Sequence, residues 1–148
     1  MRKLALTPAL LFLVAAGAHA DSPLFTSRAT LSSLSGEQIY EHICQGCHMP
    51  GGVGAVGAGF YPKLAANKNF VSWTFVALTV LDGRNGMPPF GFPEGQGMKS
   101  GPTHLTDAQI ADVVNYVRSH FGNAYKAEVT ARQVAALPHP KAELIGPQ

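Results

Sequence analysis

Cys44-Gln45-Gly46-Cys47-His48 decides how this sequence is read, because it holds the only two cysteines of the 148-residue chain. The thiols stand three positions apart and a histidine follows at once. As a disulfide, a pair at this spacing would constrain little of the unfolded chain. A thioredoxin-like redox pair would sit at a helix N-terminus after a strand, whereas here helical spacing precedes the cysteines and no strand is evident. A structural zinc site needs four ligands, usually from two such knuckles, and there is no second knuckle.

The third use of C-x-x-C-H is covalent attachment of haem. Each thiol adds to one vinyl group of the porphyrin, giving two thioether links. His48 then brings its imidazole to the iron, which leaves the sixth position on the opposite face. Cys44 and Cys47 are therefore the candidate attachment residues and His48 the candidate iron ligand.

Working outward, "LSGEQIYEHI" carries a capping box in Ser35 and Gln38 and a hydrophobic staple in Leu34 and Ile39. Ile39, Tyr40 and Ile43 form an apolar stripe at helical spacing. The cysteines are thus expected at or just beyond the C-terminal end of a helix. The same signature returns in "LTDAQIADVVNYVRSHFGN". Thr106 and Gln109 form the box, Leu105 and Ile110 the staple, and Ile110, Val113, Val114, Val117 and Phe121 the stripe. Gly122 and Asn123 are stop residues. Residues 70–81 predict a third helix, with a start signal in Asn67-Lys68-Asn69 and a β-branched content that leaves a strand open. No convincing strand pair and no repeat is evident, so the fold class read here is all-α.

Gly and Pro, 16 and 11 in the chain, concentrate in residues 50–62 and 83–102. A small, loop-rich core of this kind gains from a staple. Residues 1–20 read as an export signal, with Arg2 and Lys3, an apolar run over 4–17 and a small-residue site at Ala18-His19-Ala20. Cleavage is expected before Asp21, which places the protein in the periplasm. The run is short beside the ~20 residues of a membrane span. Without Arg2 and Lys3, the 11 Lys+Arg fall level with the 9 Asp+Glu. No basic excess remains to suggest nucleic acid. Residues 21–33 read as a loose extension, residues 34–123 as the domain, and residues 124–148 as a tail with a short helical turn near 130–137.

For the sixth ligand there are few candidates. Met49 adjoins His48 and cannot reach the opposite face. Met87 lies in "DGRNGMPPFG", where Gly83 and Gly86 permit a tight path and Pro88-Pro89 stiffen it. Met98 lies among glycines without such bracing. His42, His104, His120 and His139 read as surface histidines. His/Met ligation raises the potential of the iron and fills its coordination, which favours electron transfer over catalysis.

These segments together resemble the class I cytochrome c family over residues 34–123. "GEQIYEHICQGCH" is similar to the family's first helix, with Gly36 and Tyr40 against the last one. "YPKL" resembles its Pro-x-Leu segment, "LDGRNGMPPF" its methionine segment and "LTDAQIADVVNYVRS" its final helix, with Tyr116 facing the first. The resemblance implies three or more helices around one covalent haem c. It also implies that the Pro62 carbonyl accepts from the free imidazole nitrogen of His48, that Leu64 lies on the haem face, and that Met87 is the second iron ligand.

More narrowly, "GRNGMPPF", the last helix and "VTARQVAAL" look like cytochrome domains that serve periplasmic quinoprotein or flavoprotein dehydrogenases. The implied role is a one-electron carrier and not an enzyme. Its donor would be such a dehydrogenase and its acceptor a terminal oxidase or another cytochrome. A tightly held subunit of the dehydrogenase, with the tail wrapped on it, is the variant. A five-coordinate haem enzyme or gas binder is the alternative of a different class. The chain departs from the family's pattern in the extra loop over residues 91–101 and in Lys63-Leu64-Ala65-Ala66.

Overall fold

Ser35 opens the first helical segment. In the computed structural model, which describes residues 33–57, 59–92 and 103–141, its hydroxyl accepts from Gln38 N while the Gln38 side chain accepts from Ser35 N. Helix α1 (Gly36–Ile39) passes without a break into a π-helical turn (Tyr40–Cys44) and then α2 (Gln45–His48). The sequence places the end of this helix near the cysteines; the structure carries it on through His48. A π turn is a local widening often met at functional sites, and this one ends on Cys44.

Asn67 caps a 3-10 turn (Lys68–Val71), and Ser72 then caps α3 (Trp73–Asp82). The helix expected over 70–81 is therefore two elements, divided where the Ser72 hydroxyl accepts from Phe75 N. Thr106 and Gln109 form the expected box at the start of α4 (Asp107–Ser119). Thr130 and Gln133 form another at α5 (Ala131–Ala135), within the turn expected near 130–137. One expectation is corrected. A short antiparallel pair exists, β1 (Ala55–Val56) with β2 (Phe60–Tyr61). Two-residue strands are too short for alternation to show in the sequence.

The core forms where the first helical segment crosses α4. Ile39, Tyr40, Ile110, Val113 and Val114 are buried there, and Ala77 and Leu81 of α3 join the same cluster. Full burial of each large aliphatic side chain stabilises by about 1.5–3 kcal/mol. The crossing is close because Gly36 has no side chain. A Cβ there would overlap the Asp112 carbonyl and stand 3.1 Å from Tyr116 Cβ. The Tyr40 and Tyr116 rings meet at 5.7 Å beside it.

Residues after Asn123 belong to the packing of α4. The Asn115 side chain both donates to Val129 O and accepts from Val129 N, each at 2.8 Å. Arg118 is buried and donates to Ala127 O at 2.7 Å and to Phe70 O at 3.0 Å. Val129 and Val134 are buried. The described part of the tail is thus laid along its own domain.

Its far end is clasped by His139. Nε2 lies 2.7 Å from Asp107 Oδ1, and Nδ1 lies 2.8 Å from Leu137 O. Two acceptors ask for two N–H groups, so the imidazolium is favoured. The hydrogen bond that His139 donates to Asp107 raises the pKa above its ordinary value, against desolvation, with help from Leu137 O and the charges of Asp107 and Asp82. A raised folded-state value means the contribution is complete below the unfolded value of ~6.5 and is lost as pH rises through the higher folded one. Chemical denaturation at pH values from below ~6.5 up through the folded-state value checks this. The stability difference between wild type and His139→Gln should shrink as the pH rises; a constant difference would show that the clasp is not charged.

Candidate metal centre

The site begins with the last turn of the first helical segment. Cys44 is half-buried, Cys47 is exposed, and no disulfide joins them. They lie one helical turn apart, so they share a face, and His48 follows at the helix end. Burial pushes the Cys44 thiol up to about 12, with a smaller contribution from Cys47. A redox-active pair works the other way, through a thiol whose pKa is lowered. This local environment, together with the position at a helix end, disfavours thiol–disulfide exchange.

His48 is only 6 % exposed. Its Nδ1 stands 3.0 Å from Pro62 O. A carbonyl can only accept, so Nδ1 carries the proton and Nε2 keeps its lone pair. Among the described residues Nε2 has no protein partner. An imidazole fixed in this tautomer is ready to ligate a metal, and the hydrogen bond to Pro62 O raises its basicity as a ligand.

The glycine loop after His48 is what brings Pro62 to it. Met49 ends the helix with φ at 64°, and its carbonyl is held by the Tyr40 hydroxyl at 2.7 Å. Gly54 has φ at 71° and donates to His48 O. A Cβ on Gly54 would stand 2.8 Å from Lys63 N and 2.9 Å from Pro62 C, so any other residue would push the 62–65 segment away. Gly52 O accepts from Leu64 N at 2.8 Å and from Ala65 N at 2.9 Å. Leu64 is half-buried and packs against the core cluster.

Met87 reaches the core from the turn after α3. Gly83 caps the helix with φ at 71°, and a Cβ on it would overlap the Met87 carbonyl and stand 2.8 Å from Pro89 N. Arg84 and Met87 exchange two backbone hydrogen bonds, at 3.0 and 2.9 Å. Phe90 N and Gly91 N then bond back to Val80 O and Leu81 O. The thioether is therefore carried on a turn pinned at both ends, with its side chain half-buried against the core. Met98 lies outside the described residues.

The histidines weighed against it are placed elsewhere. His42 is exposed. His120 stacks on Tyr116 at 4.1 Å and bonds Tyr116 O. His139 is the clasp on Asp107. His104 is half-buried with its Nδ1 unpaired.

Asn123 is a positioning residue that the sequence conceals. Read as a helix stop, it is in fact buried. Its amide donates to Leu64 O and Val117 O, and its oxygen accepts from Asn67 N. It ties the segment after Pro62 to the end of α4. Nothing in "FGN" distinguishes this from an ordinary terminator.

The donor set fits a haem c. Two thiols lie one turn apart, an imidazole beside them has its tautomer fixed, and a thioether stands on a rigid turn. Apolar surface is also uncovered at Val53, Val56, Phe60 and Val71, which are 60–85 % exposed. Among the described residues no three His, Cys, Asp or Glu side chains gather as ligands for a bare metal ion.

The family model for cytochrome c matches residues 33–121. Among curated relatives, the cytochrome c subunit of gluconate 2-dehydrogenase from Pantoea cypripedii is 35% identical over 117 residues, 71% of this chain and 24% of the relative. The cytochrome c subunit of alcohol dehydrogenase (quinone) from Gluconobacter oxydans (strain 621H) is 32% identical over 105 residues, 70% and 22% of the two chains. The fructose dehydrogenase cytochrome subunit from Gluconobacter japonicus is 35% identical over 119 residues, 73% and 23%. The chain spans about a quarter of the length of these relatives. No solved structure matches it significantly.

Proposed function

The chain belongs to the cytochrome c family, and from that premise we propose that it is a periplasmic one-electron carrier serving a dehydrogenase. Family membership brings covalently bound haem c with its iron. When bound, that group supplies a one-electron Fe(III)/Fe(II) couple.

The observation that carries the reading is the His48–Pro62 hydrogen bond, 3.0 Å long, on the turn that also presents Cys44 and Cys47. In this reading Cys44 and Cys47 form the thioethers and His48 Nε2 ligates the iron. Pro62 O fixes the ring, and Leu64 lies on the haem face. Met87 sulfur fills the sixth position. Both axial positions filled by protein leave no vacancy for a substrate, which suits a carrier.

The export signal ending before Asp21 puts the protein outside the cytoplasm. No helix among the described residues is long and apolar enough to cross a membrane. The level count of acidic and basic residues after the signal gives little long-range steering. Docking then relies on short-range, weakly polar contact. The relatives are named as cytochrome subunits of gluconate, alcohol and fructose dehydrogenases. That supports a dehydrogenase as donor, and it equally favours the second reading, in which this chain is a bound subunit. The acceptor is a terminal oxidase or a further cytochrome.

Cross-linking and affinity capture from native periplasm check the donor. The expected result is co-purification of a dehydrogenase that reduces the protein when given its substrate. Capture at fixed stoichiometry without cross-linker would establish the subunit reading. Ready carbon monoxide binding at neutral pH would reject the carrier.

A further inference from the structure

His139 belongs to the tail, yet the carboxylates that act on it flank the turn that carries Met87. Leu137 packs against the core cluster, and Pro138 and Pro140 stiffen the chain on either side of the imidazole. Nε2 lies 2.7 Å from Oδ1 of Asp107, the first residue of α4. Asp82, the last residue of α3, is the other charged group that acts on the ring. Gly83 follows Asp82 directly and opens the Met87 turn. At the far side of that turn Phe90 O accepts from Leu105 N at 2.9 Å, and Leu105 lies two residues before Asp107. One carboxylate therefore stands at the entry of the turn and the other beside the contact that holds its exit.

Among the described residues neither carboxylate has a lysine or arginine within ion-pair distance. A protonated imidazole offsets both. A neutral one keeps a single N–H, so it can donate to Asp107 or to Leu137 O but not to the two together. It also leaves both carboxylates without a counter-charge. We infer that His139 is a positioning residue for Met87, its imidazolium tying the end of α3 to the start of α4 and so holding the entry and the exit of the turn between them. The ring touches neither the thioether nor the attachment turn and acts through Asp82 and Asp107. The hold is complete while His139 is charged and is lost as the pH rises and the proton leaves. The inference rests on Met87 as the candidate sixth ligand and is independent of which donor or acceptor the protein serves.

Hydrogen exchange of the oxidised holoprotein tests it, read as protection factors of the Phe90, Gly91 and Leu105 amides over a series of pH values. These amides bond to Val80 O, Leu81 O and Phe90 O. In wild type their protection should fall by roughly two- to five-fold as His139 loses its proton, the scale of a partly exposed charge pair. His139→Gln should show the lower protection at every pH. His139→Arg, which keeps a positive charge, should show the higher. The buried Val113 and Val114 in the middle of α4 should stay equally protected in all three proteins, which shows the fold intact. The second reading is the rate at which saturating imidazole displaces the sulfur, followed by loss of the sulfur–iron band. That rate should rise with pH in wild type, be high throughout in His139→Gln and low throughout in His139→Arg. Absence of the band from wild type would count against Met87 as ligand, and the amides then decide whether His139 holds the turn. Loss of protection confined to Leu137 N, which bonds to Val134 O, would mean that His139 fastens the tail alone and would overturn the inference. Equal exchange in His139→Gln and His139→Arg would do the same.

Discussion

Replacing Met87 by alanine will abolish the weak near-infrared sulfur–iron band of the oxidised protein and lower its midpoint potential. The drop should be on the order of a few tenths of a volt, a fraction of the ~0.8 V over which axial ligands set haem potentials. The protein should remain coloured, because the proposed attachment is through Cys44 and Cys47. The thioether is a soft ligand that favours Fe(II), and water or a hard donor in its place favours Fe(III). The fold should survive. Met87 is half-buried, and the turn that carries it is held by backbone bonds to Arg84, Val80 and Leu81, which alanine keeps. A vacant sixth position should also admit carbon monoxide to the reduced form. The parallel change Met98→Ala should leave band and potential in place. If instead the band survives in Met87→Ala and disappears in Met98→Ala, the ligand is Met98 and the rigid-turn argument fails.

The candidate site could be read in the sequence because its parts are local. Cys44, Cys47 and His48 are neighbours, and so are Gly83, Gly86 and Met87 with their prolines. Capping boxes likewise need only four residues, so Ser35 and Thr106 could be read directly as helix starts. What could not be read is what depends on residues far apart. Asn123 reaches Leu64 and Asn67, more than fifty positions away. Arg118 spends its charge on two carbonyls, an environment that no pattern of charges in the sequence announces. The tail is the largest case. Its weak periodicity reflects its attachment through Asn115, Arg118 and His139 rather than through a long apolar stripe. The β1–β2 pair escaped notice because four paired residues leave no period to detect.

Gly36→Val offers the sharpest test of how the fold brings the site together, since two local effects act with opposite signs. Glycine is the poorer helix former by about 1 kcal/mol against alanine, so propensity alone gives substitution a neutral or stabilising effect. Packing gives the reverse. A Cβ at position 36 would overlap the backbone carbonyl of Asp112. That atom belongs to the middle of α4 and has no rotamer by which to move aside. The helices would have to separate, and with them Tyr40, Ile39, Ile110, Val113 and Val114, the most buried part of the core. Overpacking by a single group costs typically about 1–3 kcal/mol, and valine adds two methyls beyond the first carbon. A loss of about 3 kcal/mol or more is expected, a large share of the ~5–15 kcal/mol that stabilises a domain. Guanidinium denaturation of the holoprotein followed by far-ultraviolet circular dichroism measures it, with Gly36→Ala as the smaller step in the same direction. Because Tyr40 also holds the Met49 carbonyl at the end of the attachment helix, the strain should extend to His48 and weaken its bond with Pro62. An alanine variant more stable than wild type would mean that the first helical segment and α4 do not cross at this glycine.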